Sequence, residues 1–195
     1  LENGAWARGD EVHVGSHVVD VPGASTLAYT SLGAVVGTDR GHFVLVTVAG
    51  RVERLRLDIA GDVFDRPVAT DPAAPYLAYV RAVDDTTDQL AVRDLSTGEE
   101  TTVGEPFPAS TSGPSEAGQL WGDVVFWLQR GNTRFTDWST GARIPGPSGP
   151  WSTHSFAAGT YVGFDHETKS WVVVSRSDGS TLLSTRAPTP TMYST

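Results

Sequence analysis

Four times along this chain a run rich in β-branched and aliphatic residues ends in a short polar segment bearing glycine, and another such run follows. The copies run Val44 to Gly50, Leu90 to Gly98, Phe135 to Gly141 and Val172 to Gly179, with glycines 48, 43 and 38 residues apart. Two of them carry the same word, Asp-x-Ser-Thr-Gly, at Asp94 to Gly98 and at Asp137 to Gly141. There the Asp and Ser side chains can bond local backbone and the glycine can take a positive φ without a Cβ clash. These segments are expected to be hairpin tips, with Gly98 and Gly141 at equivalent positions and positive φ. Self-similarity at a period of about 40 residues marks a repeat architecture.

The runs around each tip supply the strands. Upstream lie Ala34 to Gly37, Tyr76 to Val80, Val124 to Leu128 and Tyr161 to Phe164, at the spacing of consecutive strands in an all-β domain. Downstream come outer runs such as Val52 to Leu57 and Thr181 to Ser184, whose alternation implies one wet face. A less regular stretch precedes each pair, at Thr26 to Leu32, Pro67 to Asp71, Ala117 to Trp121 and Thr153 to Ala158. Four strands per unit of about 40 residues describe a propeller blade. The units are about 25–58, 66–105, 116–146 and 151–186, with proline-bearing joints between them and no helix signature longer than a turn. Glu11 to Val14 and His17 to Val21 read as a further strand pair, which the tail Thr191 to Thr195 could complete as a fifth, closing blade. Closure removes exposed edges, and a closed ring is expected to be monomeric. The alternative is a four-blade fragment of a six- or seven-bladed propeller.

Through Leu90-Ala-Val-Arg-Asp-Leu-Ser-Thr-Gly-Glu99 and its cousins the chain resembles WD40-like and TolB-like β-propeller repeats, and the propeller ectodomains of actinobacterial proteins. The resemblance spans nearly the whole chain, although no copy has the Gly-His and Trp-Asp pair of true WD40 blades; Asp137-Trp138 reverses the order. It implies an all-β β-propeller of four-stranded antiparallel blades forming a single domain over 1–195, with an interaction surface and no mapped catalytic residue. Arg supplies 13 of the 14 basic residues, and Asn and Ile occur twice each, a bias that goes with a GC-rich genome.

Composition narrows the function classes. The formal charge is 14 − 23 = −9, which disfavours nonspecific binding to nucleic acid or to an anionic membrane. With 39% hydrophobic residues the 195-residue chain can bury a core, and its longest apolar stretches fall far short of the roughly 20 residues that span a bilayer. The absence of Cys removes disulfides, thiolate metal sites and a cysteine nucleophile. The opening Leu1-Glu2-Asn3 reads as a processed product or an excised part of a longer chain, and the ectodomain resemblance points outside the cytoplasm, secreted or tethered by sequence elsewhere.

No residue pattern names a reaction. Gly-x-Ser-x-Gly, Gly-x-Gly-x-x-Gly and Walker loops are all missing, and no cofactor is implied. His166-Glu167 starts like a zincin helix, but position 170 is Ser, and a hairpin turn is the wrong scaffold. His13 and His17 read as solvated edge histidines. Asp84, Asp85 and Asp88 gather carboxylates, yet Gln89 stands where a calcium loop needs Gly, so a solvated turn is the simpler reading. Repulsion among these acids could raise a pKa, the usual preparation for a general acid. Among the Trp residues, Trp127 and Trp171 are expected to pack between blades, whereas Trp121 and Trp151, at joints, are candidates for sugar stacking.

In a propeller the turns between second and third strands share a face with the joints between blades. That face would collect Asp39, Arg40, Asp84, Asp85, Phe107, Arg130, Trp151, Asp165 and His166. Of these, Asp84, Asp85, Phe107, Arg130, Trp151 and His166 are the candidate ligand-binding residues. The expectation is a non-catalytic binding or scaffold module that recognises a protein or peptide, with excess acid favouring a cationic partner. A lectin-like carbohydrate binder is the first alternative and a glycoside-active enzyme the second.

Overall fold

The computed structural model describes residues 4–60, 68–109, 116–129, 132–144, 151–157 and 159–186, and the chain divides into two compact units after Ile144. Among the described residues every regular element is a strand, and no helix is long and apolar enough to cross a membrane. The first unit opens with a three-stranded meander, β1 (Ala5–Arg8), β2 (Glu11–Val14) and β3 (His17–Asp20). Three four-stranded antiparallel sheets follow. They are β4 (Ala24–Thr30), β5 (Gly33–Thr38), β6 (Phe43–Thr47) and β7 (Val52–Leu55); β8 (Ala69–Thr70), β9 (Tyr76–Asp84), β10 (Thr87–Asp94) and β11 (Glu100–Pro108); and β12 (Glu116–Trp121), β13 (Val124–Gln129), β14 (Asn132–Asp137) and β15 (Arg143–Ile144). The second unit is one further sheet, β16 (Trp151–Ala157), β17 (Thr160–Asp165), β18 (Ser170–Ser175) and β19 (Thr181–Arg186). Each sheet runs in sequence order, the all-β pattern of propeller blades. Residues 191–195, expected to add a closing strand, lie outside the described residues.

Strand periodicity of two divides the apolar side chains between successive cores. On β5 and β6, Ala34, Val36 and Val46 point into a cluster with Val12, Val14 and Val21 of the N-terminal meander. Their neighbours Val35, Phe43 and Leu45 point the other way, onto Leu77, Tyr79 and Ala91. The opposite face of β9 and β10, carrying Ala78, Val80, Leu90 and Val92, packs with Leu120, Val125 and Trp127 of the next sheet. Strands buried on both faces therefore read as continuous apolar runs, Ala34-Val35-Val36 and Leu77-Ala78-Tyr79-Val80, whereas outermost β7 is mostly exposed.

The two Asp-x-Ser-Thr-Gly tips are built alike. Asp94 Oδ1 accepts from Ser96 N–H at 2.7 Å and Ser96 Oγ–H at 2.6 Å, and the Gly98 N–H donates to the Asp94 carbonyl at 2.8 Å. Asp137 does the same with Ser139, at 2.9 and 2.7 Å, and with Gly141 at 2.8 Å. Gly98 and Gly141 have φ of 79° and 73°, the positive φ expected of them.

His13 and Trp171 depart from expectation, whereas His17 and Trp127 do not. Strand β1, additional to the two strands expected from the sequence here, places Trp6 flat on His13, with centroids 3.5 Å apart and planes within 10°. His13 is thus on the middle strand and half-buried instead of solvated at an edge, while His17 on β3 is exposed. Trp127 is core, 7% exposed, and its indole N–H donates to Thr136 Oγ1 at 3.0 Å. Trp171 is not: Tyr161, Val172 and Val174 are buried, but Trp171 points to the opposite face of its sheet and is 40% exposed.

Candidate functional site

One face of the first unit can be followed through backbone hydrogen bonds. Asp10, in the β1–β2 turn, accepts at its carbonyl from Val21 N–H and at Oδ1 from Gly23 N–H, both at 2.8 Å. Asp39, in the β5–β6 turn, donates its N–H to the Gly23 carbonyl at 2.8 Å. The joint between the first two sheets therefore lies beside the turn between the second and third strands of the second sheet. Since the β1–β2 turn sits on this same face, β1, β2 and β3 occupy the second, third and fourth strand places of a blade.

On this rim two cavities flank a contact between an arginine and a histidine. Arg54 is on β7, paired with Val44 of β6, and His42 lies two residues before Val44. Alternation brings the two side chains to one face, and Arg54 Nη2 lies 3.3 Å from His42 Nδ1 and 3.4 Å from His42 Nε2. A cavity of about 350 Å³ on one side is lined by His42, Phe43, Arg54, Arg56, Leu57 and Asp58, among others. Another of about 230 Å³, on the other side, is lined by His42 and Arg54 together with Arg40, Asp20 and an apolar wall of Val21, Pro22, Val44 and Val52. Among the described residues neither Arg40 nor Arg54 has a carboxylate within 4.0 Å; the nearby ion pair joins Arg51 to Glu53 at 3.8 Å. Residues 38–57 carry four Arg against Asp39 and Glu53, 4 − 2 = +2, in a chain whose total is −9. The excess acid is therefore elsewhere, and the rim itself favours an anionic group.

The residues expected on the loop face fare differently. Asp84 and Asp85 are exposed at the β9–β10 turn. Asp84 Oδ1 accepts from the N–H and the hydroxyl of Thr86, each at 2.8 Å, and these bonds hold its carboxyl below the usual carboxylate range. The acid whose pKa is raised is Asp88, 7% exposed, through burial first and the Asp84 charge second. Phe107 does not reach the loop face as a binding residue: it is 7% exposed and packs on Trp127 at 5.2 Å between centroids. Its position on β11 opposite Asp88 turns the ring into the core, because burying an aromatic ring removes far more apolar surface from water than an exposed turn allows. Arg130 lies outside the described residues. Trp151 opens β16 opposite Asp165, and His166 is exposed in the turn after β17, its ring edge-on to Phe164 at 5.3 Å. Both belong to the second unit. Trp121 ends β12 half-buried.

Asp39 and Arg40 are among the residues expected on this face from the sequence; His42 and Arg54 are not. Three Arg within the six residues from Arg51 to Arg56 of an acidic protein, on an outer strand, were the available signal.

No protein-family model matches the chain, and no curated protein matches it. Solved structures do. Kluyveromyces lactis Hsv2 with its complete loop 6CD superposes with a TM-score of 0.51 at 14% identity, over 86% of this chain and 55% of that one. A second Hsv2 structure gives 0.51 at 14% identity, over 86% and 56%. A nidogen/laminin complex chain gives 0.46 at 9% identity, over 91% and 71%. The present chain thus spans little more than half the length of the Hsv2 chains it resembles.

Proposed function

The chain has a β-propeller fold, and from that premise we propose that it is a non-catalytic binding module that engages a protein or peptide through the face carrying the β5–β6 turn and the joint before β4. The observation that carries this reading is the pair of cavities sharing His42 and Arg54, with cations beside an apolar wall. Rigid strands hold the rim, and loops on a rigid scaffold are where binding residues concentrate. The ectodomain resemblance through Leu90 to Glu99 supports a place outside the cytoplasm. Asp84 and Asp85 extend the candidate face as exposed acids, whereas Phe107 contributes only to the core beneath it.

The test is binding of the full chain to a random-sequence peptide array, with a glycan array and chromogenic glycosides alongside. Selective, saturable binding of a peptide class, weakened by substitution at Arg54, is expected. Glycan binding without peptide binding would replace this reading with the lectin-like one, and glycoside turnover with the enzymatic one.

A further inference from the structure

We infer that the His42–Arg54 rim receives one carboxylate presented beside an aliphatic side chain, as on an Asp or Glu next to Leu or Val in a bound peptide; this rests on the peptide-binding reading above.

Three observations converge. First, the guanidinium of Arg54 rests one Nη against His42 and has no carboxylate partner among the described residues, so the rest of its planar fork of donors is open to the two oxygens of a carboxylate. Second, the charge count suits a monoanion. Across both cavities the formal charges of the lining Arg and Asp are Arg40, Arg54 and Arg56 against Asp20 and Asp58, 3 − 2 = +1. A carboxylate is matched by that excess, whereas a phosphate monoester, at about −1.5 to −2 near neutral pH, would be undercompensated and face the two Asp. Third, the two cavities differ in chemistry. The smaller has the wall of Val21, Pro22, Val44 and Val52, the larger has Arg56 and Asp58, and Arg54 belongs to both. At about 230 Å³ the smaller falls below the roughly 300–1,000 Å³ typical of pockets enclosing a small molecule, and at about 350 Å³ the larger lies just inside that range, sizes suited to single side chains of a chain laid across the rim.

The experiment titrates the isotopically labelled full chain with N-acetyl-Leu-Glu-N-methylamide, which carries a single carboxylate, and follows the backbone amides by NMR. Saturable shifts centred on Gly41, His42 and Arg54 are expected. The Gln counterpart, N-acetyl-Leu-Gln-N-methylamide, and the Arg54→Gln variant should each bind about tenfold more weakly, the scale of a lost charge-assisted hydrogen bond. N-acetyl-Gly-Glu-N-methylamide should also bind more weakly, for want of the aliphatic group. Arg54→Gln should keep the parent amide spectrum away from the rim, because Arg54 is exposed. Absence of saturable shifts at the rim, equal binding of the Gln peptide, or inorganic phosphate binding as tightly as the Glu peptide would each overturn the inference. Array peptides that instead shift the Asp85–Thr86 turn would overturn it and leave the loop-face reading standing; failure of every array peptide would remove that reading as well.

Discussion

The carboxylate of Asp71 accepts the Gly122 N–H at 2.6 Å, joining the loop after β8 to the β12–β13 turn of the next sheet. Asp71 is 2% exposed, and its other oxygen accepts from Ala73 N–H at 2.8 Å. Around this tie the Trp138 indole N–H donates to the Gly122 carbonyl at 2.7 Å and its ring packs on Tyr76 at 5.0 Å. Asp71→Asn would turn an amide N–H₂ toward one of two backbone donors. A loss of about 1–3 kcal/mol is expected, read as a midpoint shift in urea unfolding; an unchanged midpoint would show the tie to be dispensable.

Gly98→Val should cost over about 1 kcal/mol, because a β-branched residue tolerates a φ of 79° poorly, while among the described residues its Cβ would meet only Arg93, at 3.7 Å. The strain is conformational, so Gly98→Asn should recover much of the loss. Equal melting of the Val and Asn variants would contradict this account.

Phe107→Ala separates core from ligand contact. With the ring packed on Trp127 in the cluster between two sheets, truncation should cost about 3–5 kcal/mol. At roughly 2–4 °C per kcal/mol for a chain of this size, the thermal midpoint should fall by about 6–20 °C. A variant that melts like the parent would return Phe107 to the list of surface residues.

The acids impose opposing pH dependences. Asp88 has a folded pKa raised by burial and by Asp84, so its ionised form destabilises the fold at neutral pH. That penalty fades as pH falls through the folded pKa and is gone below the unfolded value of about 3.9. Asp88→Asn should therefore raise the thermal midpoint at pH 7, with the gain shrinking as the buffer is acidified. Asp94 and Asp137 are depressed, chiefly by the hydroxyls of Ser96 and Ser139. Their contribution is complete above the unfolded pKa and is lost as pH falls through the folded one. A gain from Asp88→Asn that stays constant down to pH 3 would refute the assignment.

Removing residues 1–22 should strip Val12, Val14 and Val21 from Ala34, Val36 and Val46. The second sheet would then present a bare apolar flank, and the truncated chain should melt earlier and bind a hydrophobic dye. An unaltered melting curve would mean that the N-terminal meander contributes little to the stability of its neighbour.

What could be read from the amino-acid order was local. The Asp94 to Gly98 and Asp137 to Gly141 tips close through bonds between residues no more than five apart, so the same five-residue word yields the same turn wherever it occurs. The alternation and continuous apolar runs of β5, β9 and β13 likewise announce strands, because a strand's two faces follow from its own period. Strand β1 was missed because its four residues, with Ala5 alone buried, carry too little pattern. The site lay beyond local reach. Arg54 meets His42 only after β6 and β7 pair, Asp71 reaches Gly122 across 51 residues, and Phe107 turns inward only because Trp127 of another sheet is there to cover it. Such contacts depend on register and on how sheets pack, and neither leaves a period or a motif in the chain. Strands and turns are thus legible in the amino-acid order, whereas the pairing and packing of sheets set which cations and apolar walls share a rim.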